Sequence, residues 1–76
     1  MFNLNQLNHF RLVTETRNFA AAARRAHITQ PALSNSIRTL EDHTGVQLID
    51  RSERPVRVTS AGRDLLLRIG SLLTQA

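Results

Sequence analysis

Apolar residues recur at helical spacing near the start of the chain, directly after a residue that caps helices well. Leu4, Leu7, Phe10 and Val13 fall on one face of a helix, and Asn3 precedes them as a candidate N-cap. This pattern predicts a first helix over residues 4 to about 16. We expect it to brace the elements that follow it in the chain.

Residues 20–40 predict a short helix, a tight turn and a second helix, and the rest of the chain is organised around this stretch. Asn18 can cap the short helix, whose inner positions are mostly alanine: Phe19, Ala22, Ala23 and Ala26. Such small side chains let another helix approach closely. Thr29 then fits the N-cap of the next helix, and Pro31 falls in its first turn, where a missing N–H does no harm.

This next helix has one apolar side and one polar side. On a wheel of about 100° per residue, Leu33, Ile37 and Leu40 cluster within roughly 60°. The polar arc that begins beyond them consists of Pro31, Ser34, Asn35, Arg38 and Asp42. The pair is typical of a helix-turn-helix, whose second helix enters the DNA major groove. Taken alone, these residues fit an ordinary solvated amphipathic helix equally well.

Beyond Gly45, which suits the left-handed position after a helix, two short β-prone runs predict a hairpin. They cover residues 46–49 and 56–59, and the polar segment between them forms the turn. Arg51, Arg54 and Arg57 recur at every third position, with Arg54 near the tip. On a wing beside a helix-turn-helix they can reach flanking phosphates or a minor groove. Local pairing with Asp50 and Glu53 is the alternative, and for Arg51 it is equally consistent with the sequence.

Residues 60–76 predict a last helix, capped by Thr59 or Ser60. Its apolar residues cover more than one face, which implies a partner, and the simplest partner is the same helix of a second copy. The candidate interface residues are Leu65, Leu66, Ile69, Leu72 and Leu73. The helix has no capping glycine at its end, so we expect the chain to be a piece of a longer protein.

Composition narrows the class of partner. The 76 residues make one domain with a thin core, a formal net charge of +4 and ten basic residues that are all arginine. Arginine binds phosphate and guanine through its planar fork, so an anionic partner, nucleic acid above all, is favoured. Three phenylalanines and no other aromatic residue argue against single-stranded binding, which stacks bases on aromatic rings.

The same composition argues against several other functions. Cysteine is absent, and His9, His27 and His43 lie on separate elements, so no metal site is expected. Ser34 has no histidine at a plausible helical spacing, and we expect no enzyme activity. No secretory signal and no membrane-length apolar run occur, so we expect a cytoplasmic, nucleoid-associated protein with no membrane partner.

Six short motifs in order resemble the N-terminal DNA-binding domain of LysR-type transcriptional regulators over essentially the whole chain. The six motifs are residues 7–10 (LNHF), 18–23 (NFAAAA), 28–34 (ITQPALS), 37–41 (IRTLE), 45–48 (GVQL) and 59–62 (TSAG). Arg51, between the fifth and the sixth, also matches the family. The resemblance implies a mainly α fold: a winged helix-turn-helix of three helices and a two-stranded wing over residues 1–59, then a long linker and dimerisation helix over residues 60–76.

The resemblance further implies a bacterial regulator that binds an interrupted inverted repeat in double-stranded DNA as a homodimer, with a tetramer possible at full length. Residues 30–42 would form the recognition helix and residues 49–57 the wing. The implied DNA-binding residues are Thr29, Gln30, Pro31, Ser34, Asn35, Arg38, Arg51 and Arg54. No cofactor is implied for this segment, whereas a C-terminal two-lobed domain, absent from this chain, would bind a small-molecule inducer.

Three positions depart from the family pattern. Many members have a basic residue at Asn35, often a glutamine at Ser36, and commonly a phenylalanine at Ile49. Asparagine pairs with adenine whereas arginine prefers guanine, so Asn35 predicts a preference for an A·T pair. The main alternative function is a winged-helix protein-interaction module. It is disfavoured because such modules rarely keep Arg38, Arg51 and Arg54 on one side of a basic domain.

Overall fold

Four helices and a small hairpin make up the described part of the chain. The computed structural model describes the backbone of residues 3–75 and the side chains of residues 3–70. In chain order the elements are α1 (Leu4–Thr16), α2 (Phe19–Ala26), α3 (Gln30–Thr44), β1 (Ile49–Asp50), β2 (Arg57–Val58) and α4 (Ser60–Gln75). Within residues 3–75, no helix combines the length and the apolar character needed to span a membrane.

Side-chain caps begin all four helices and confirm the predicted starts. The Asn3 and Asn18 side-chain oxygens accept from backbone N–H groups of α1 and α2 at 2.7 and 2.9 Å. Thr29 Oγ1 accepts from the first turn of α3 at 3.2 Å. The Gly62 N–H donates to Thr59 Oγ1 at 3.0 Å, so Thr59 and not Ser60 caps α4.

Three left-handed residues end the first three helices. Gly45 has a φ of 74° at the end of α3, as its position predicted. Arg17 ends α1 with a φ of 53°, and His27 ends α2 with a φ of 59°. Neither of these two residues was predicted to be left-handed, because a side chain normally disfavours this conformation. Both N–H groups still bond back to a carbonyl of their own helix, which satisfies the helix end.

The core lies where α1, α2 and α3 pack against one another. At its centre, Phe10, Val13, Leu33, Ile37 and Leu40 have no exposed surface. Ala22 and Ala23 are the buried residues of α2, and their small size permits the close helix approach that the sequence predicted. The hairpin and α4 complete the core with Leu48, Ile49, Val56 and Ile69.

The wing is shorter than the sequence predicted. Each antiparallel strand has two residues, with Ile49 opposite Val58 and Asp50 opposite Arg57. Of the predicted strands over residues 46–49 and 56–59, residues 46–48, 56 and 59 therefore lie outside the observed strands, and Asp50, predicted in the turn, belongs to β1. The physical reason is that other groups take the backbone donors: Leu48 N–H donates to the Glu41 carboxylate at 2.8 Å, and Val56 N–H donates to the Arg17 carbonyl at 3.3 Å.

Candidate nucleic-acid interface

The polar side of α3 is available to a partner, as its pattern predicted. Gln30, Pro31, Asn35 and Arg38 are exposed and Ser34 is half-buried, while the opposite side of the helix carries the fully buried apolar stripe. Thr29 is also exposed, although its hydroxyl is engaged as the cap. The cap and Pro31 fix the start of this helix, so these side chains project from a rigid element.

A depression of about 660 Å³ joins this helix to the wing and to the turn between α1 and α2. Its lining includes Gln30, Ser34, Arg51 and Arg54 from the predicted site. Arg38 lines a second depression, of about 510 Å³, to which Arg51 also contributes. Thr29, Pro31 and Asn35 line neither depression. The tertiary structure thus brings the start of α3 and the wing tip onto one face.

The arginines of this face differ in whether their charge is already neutralised. Among the residues described, Arg51 forms an ion pair with Glu41 at 3.3 Å and Arg57 with Glu53 at 3.1 Å. Within the same residues, Arg17, Arg38 and Arg54 form no ion pair. Their charges remain available to an anion. Arg17 was not predicted as a site residue, although a basic residue just before the Asn18 cap was visible in the sequence.

Arg51 forms an ion pair with neither Asp50 nor Glu53, the two nearby acids considered from the sequence. Asp50 accepts from the Ser52 hydroxyl and backbone N–H instead, which lowers the pKa of the Asp50 carboxyl. The alternative of local pairing with Asp50 or Glu53 is therefore wrong for Arg51, whose ion-pair partner lies on α3, and holds for Arg57, which pairs with Glu53. The Arg51 guanidinium also lies over the Phe19 ring, 5.1 Å from its centroid. Its role in DNA binding stays a prediction.

Two neighbouring polar residues of α3, Asn35 and Ser36, differ in their hydrogen bonding. Within the described residues, the Asn35 side chain makes no hydrogen bond, so its amide is free to bind a base edge. Ser36, one residue on, contacts Nδ1 of His9 through its hydroxyl at 2.8 Å and ties α3 to α1. Partial burial lowers the pKa of His9 from its ordinary value. The residues described include no cluster of three or more potential metal ligands.

The predicted dimer residues divide into three groups. Leu65 and Leu66 are half-buried against the chain's own core, and Ile69 is only 5% exposed there. Leu72 and Leu73 lie outside the described side chains. Leu67, which was not among the predicted interface residues, is 75% exposed on α4. Ile69 consequently has little side-chain surface left for a second copy, whereas Leu67 has most of its own.

A helix-turn-helix with a packed inner side, an exposed polar recognition helix and an adjoining basic wing defines the winged helix-turn-helix class of DNA-binding domains. Residues 4–63 match the family model described as the bacterial regulatory helix-turn-helix protein, lysR family. The chain belongs to this family. It is therefore the DNA-binding domain of a LysR-family transcriptional regulator, and its relatives are regulators rather than enzymes.

Individual relatives agree with this assignment. The HTH-type transcriptional regulator YfeR of Shigella flexneri is 42% identical over 74 residues, which cover 97% of this chain and 24% of that protein. The chain thus spans about a quarter of this curated relative. Vibrio fischeri DarR, solved in complex with DNA, superposes with a TM-score of 0.94 at 33% identity over 99% of this chain and 26% of its own. The complex of BenM DBD with benA site 1 DNA gives 0.92 at 36% identity, covering 97% and 83%.

Proposed function

We propose that this domain binds an interrupted inverted repeat in duplex DNA as a homodimer, with α3 in the major groove and the wing on the flanking backbone or minor groove. The observation that carries the proposal is the shared face on which Gln30 and Ser34 of α3 lie beside Arg54 of the wing. A helix in the major groove would present its N-terminal residues to base edges. The wing would then meet the DNA beside that groove.

The side chains of this face divide by the DNA group that each can bind. Gln30, Ser34 and Asn35 can donate to and accept from base edges, which carry the sequence information. Arg38 and Arg54 have no anionic partner among the described residues and are suited to phosphates, which carry no sequence information. Substitution of Arg54 should therefore weaken binding to all duplexes alike, whereas substitution of Gln30 or Ser34 should change the preferred sequence.

Dimerisation through α4 is supported by its exposed apolar surface. Leu67 is 75% exposed, and an apolar side chain in this state on a long helix is suited to contact with another copy. Leu65, Leu66, Leu72 and Leu73 stay in the proposed interface, and Leu67 joins them. Two recognition helices in such a dimer would read two half-sites about one helical turn apart.

The experiment that tests this function is selection of bound duplexes from a randomised library at near-physiological salt. We expect enrichment of an inverted repeat, with half-sites separated by about one helical turn. For six to eight neutralised phosphates, the logarithm of the binding constant should fall against the logarithm of the salt concentration with a slope near −6. Salt-sensitive binding without enrichment would contradict sequence reading by this domain. Absence of binding would instead favour a winged-helix protein-interaction module.

The chain covers about a quarter of its relative YfeR, which is a longer protein. We propose that in such a protein a separate C-terminal domain binds a small-molecule inducer, while the present domain binds DNA without a cofactor. A tetramer of full-length chains would place several of these domains on one DNA. Comparison of the oligomeric mass and inducer binding of the full-length protein with those of this domain tests both points.

A further inference from the structure

Glu41 joins the end region of α3 to the first strand of the wing through three contacts. Its Oε2 accepts from the Leu48 N–H at 2.8 Å and from the Ile49 N–H at 3.2 Å. Its Oε1 accepts from Nη1 of Arg51 at 3.3 Å. The Glu41 side chain is only 12% exposed, so water competes poorly for these bonds. A single carboxylate thus contacts the start of β1 and the residues on either side of this strand.

Arg51 extends this connection to α2 but is poorly placed to reach a ligand. Its guanidinium lies over the Phe19 ring at the start of that helix. Nε and Nη2, which form the edge best suited to a bidentate contact, are inaccessible to solvent and have no hydrogen-bond partner among the described residues. A phosphate oxygen cannot approach an edge that water cannot approach. Arg54, by contrast, is exposed and lines the depression beside α3.

We infer that Glu41 and Arg51 are positioning residues, which fix the wing against α3 and α2 and so place Arg54 for its DNA contact, and that Arg51 does not itself bind DNA. This inference rests on the proposed function for the Arg54 contact. The wing has only two residue pairs in its own ladder, so its direction depends on such external attachments. The residue just before the second strand makes another such attachment, from Val56 N–H to the Arg17 carbonyl.

Glu41→Gln distinguishes a positioning role of Glu41 from a simple effect of its negative charge, because the two predict opposite changes in DNA affinity. DNA is an anion, so the loss of a carboxylate beside the interface strengthens binding if charge alone matters. If Glu41 positions the wing, the same change weakens binding by about tenfold, the loss expected for one charge-assisted contact. Asp64→Asn is the control, because it removes the same charge from an exposed residue of α4 that forms no ion pair among the described residues and lies outside α3 and the wing. We expect unchanged or tighter binding there.

Combination of Glu41→Gln with Arg54→Ala shows whether the first residue acts through the second. Affinities are measured by fluorescence anisotropy on the selected duplex, with circular dichroism of each variant under the same conditions. We expect the double variant to bind as weakly as Arg54→Ala alone. Once the Arg54 side chain is removed, a change in the position of the wing costs no further DNA contact. Losses that multiply, or an unweakened Glu41→Gln variant, would overturn the inference.

Amide hydrogen exchange of the free protein tests the positioning role independently of DNA. We expect Glu41→Gln to accelerate exchange at Leu48 and Ile49 and across residues 49–58, while α1 and the first half of α3 keep their protection. Unchanged exchange in the wing would overturn the inference even if the domain binds DNA as proposed. Loss of DNA binding by the parent protein would instead refute the proposed function. If Glu41→Gln does not fold, Arg51→Met keeps the packing on Phe19, removes the ion pair and takes its place in each measurement.

Discussion

Substitution of Gly62 by alanine should destabilise the protein, although glycine-to-alanine changes normally stabilise a helix. It lies in the first turn of α4, where its N–H donates to the Thr59 cap. A Cβ added at this position would meet the Leu48 carbonyl oxygen at 2.4 Å and Cγ1 of Val58 at 2.8 Å. Both distances are far shorter than the roughly 3.5–4.0 Å of a normal carbon contact. The absence of a side chain therefore allows α4 to approach the base of the wing.

The expected cost of Gly62→Ala follows from what must move. Overpacking of this kind costs about 1–3 kcal/mol. The Leu48 carbonyl also accepts from the Thr59 N–H at 3.0 Å, and disruption of this hydrogen bond adds about 0.5–1.5 kcal/mol. The higher helix propensity of alanine offsets at most about 1 kcal/mol of this loss of stability. We therefore expect a net loss of about 1–3 kcal/mol in the free energy of unfolding, which lowers Tm by roughly 5–20 °C in a domain of this size.

Gly70→Ala is the matched control for this prediction. Gly70 lies on the same helix, and a Cβ added there meets no atom of the described side chains within 4 Å. This change should raise the free energy of unfolding by about 0.5–1 kcal/mol through helix propensity alone. Thermal unfolding followed by circular dichroism at one fixed protein concentration compares the two variants with the parent. A Gly62→Ala protein as stable as the Gly70→Ala protein would refute the close approach of α4 to Leu48.

Three further predictions concern readout, acid stability and assembly. Asn35→Arg should shift the preference at one base pair of each half-site from A·T towards G·C in a randomised operator selection, and an unchanged preference would rule out base reading by Asn35. The pKa of His9 is lowered, so the folded state binds a proton at His9 less well than the unfolded state does. His9→Asn should therefore reduce the loss of free energy of unfolding that occurs as the pH falls below about 6.5, as measured by urea unfolding. An unchanged pH dependence would contradict this reasoning. Leu67→Asp should dissociate the proposed dimer in sedimentation velocity, whereas Leu4→Asp, a change at an equally exposed leucine of α1, should not.

Local chemistry made the helices and their boundaries predictable from the sequence. Asn3, Asn18 and Thr29 cap helices because a short side-chain oxygen reaches a free N–H a few residues away, and no distant residue is needed. The apolar stripe of α3 likewise follows from the helical period. The exposed polar side of α3, and with it the candidate base-reading residues, therefore follows from the order of the amino acids alone.

Tertiary contacts decided the features that depend on residues far apart in the chain. Arg51 was ambiguous in the sequence because nearby acids were the only partners that spacing could propose, whereas the folded chain offers it Glu41, ten positions away. Packing decided that Ile69 is buried in the chain's own core and Leu67 is exposed, although both are apolar residues of one helix. The strands are short because backbone donors bond to α3 and to the residue that ends α1 instead. Such choices follow from the energetics of the assembled core, which no local pattern contains.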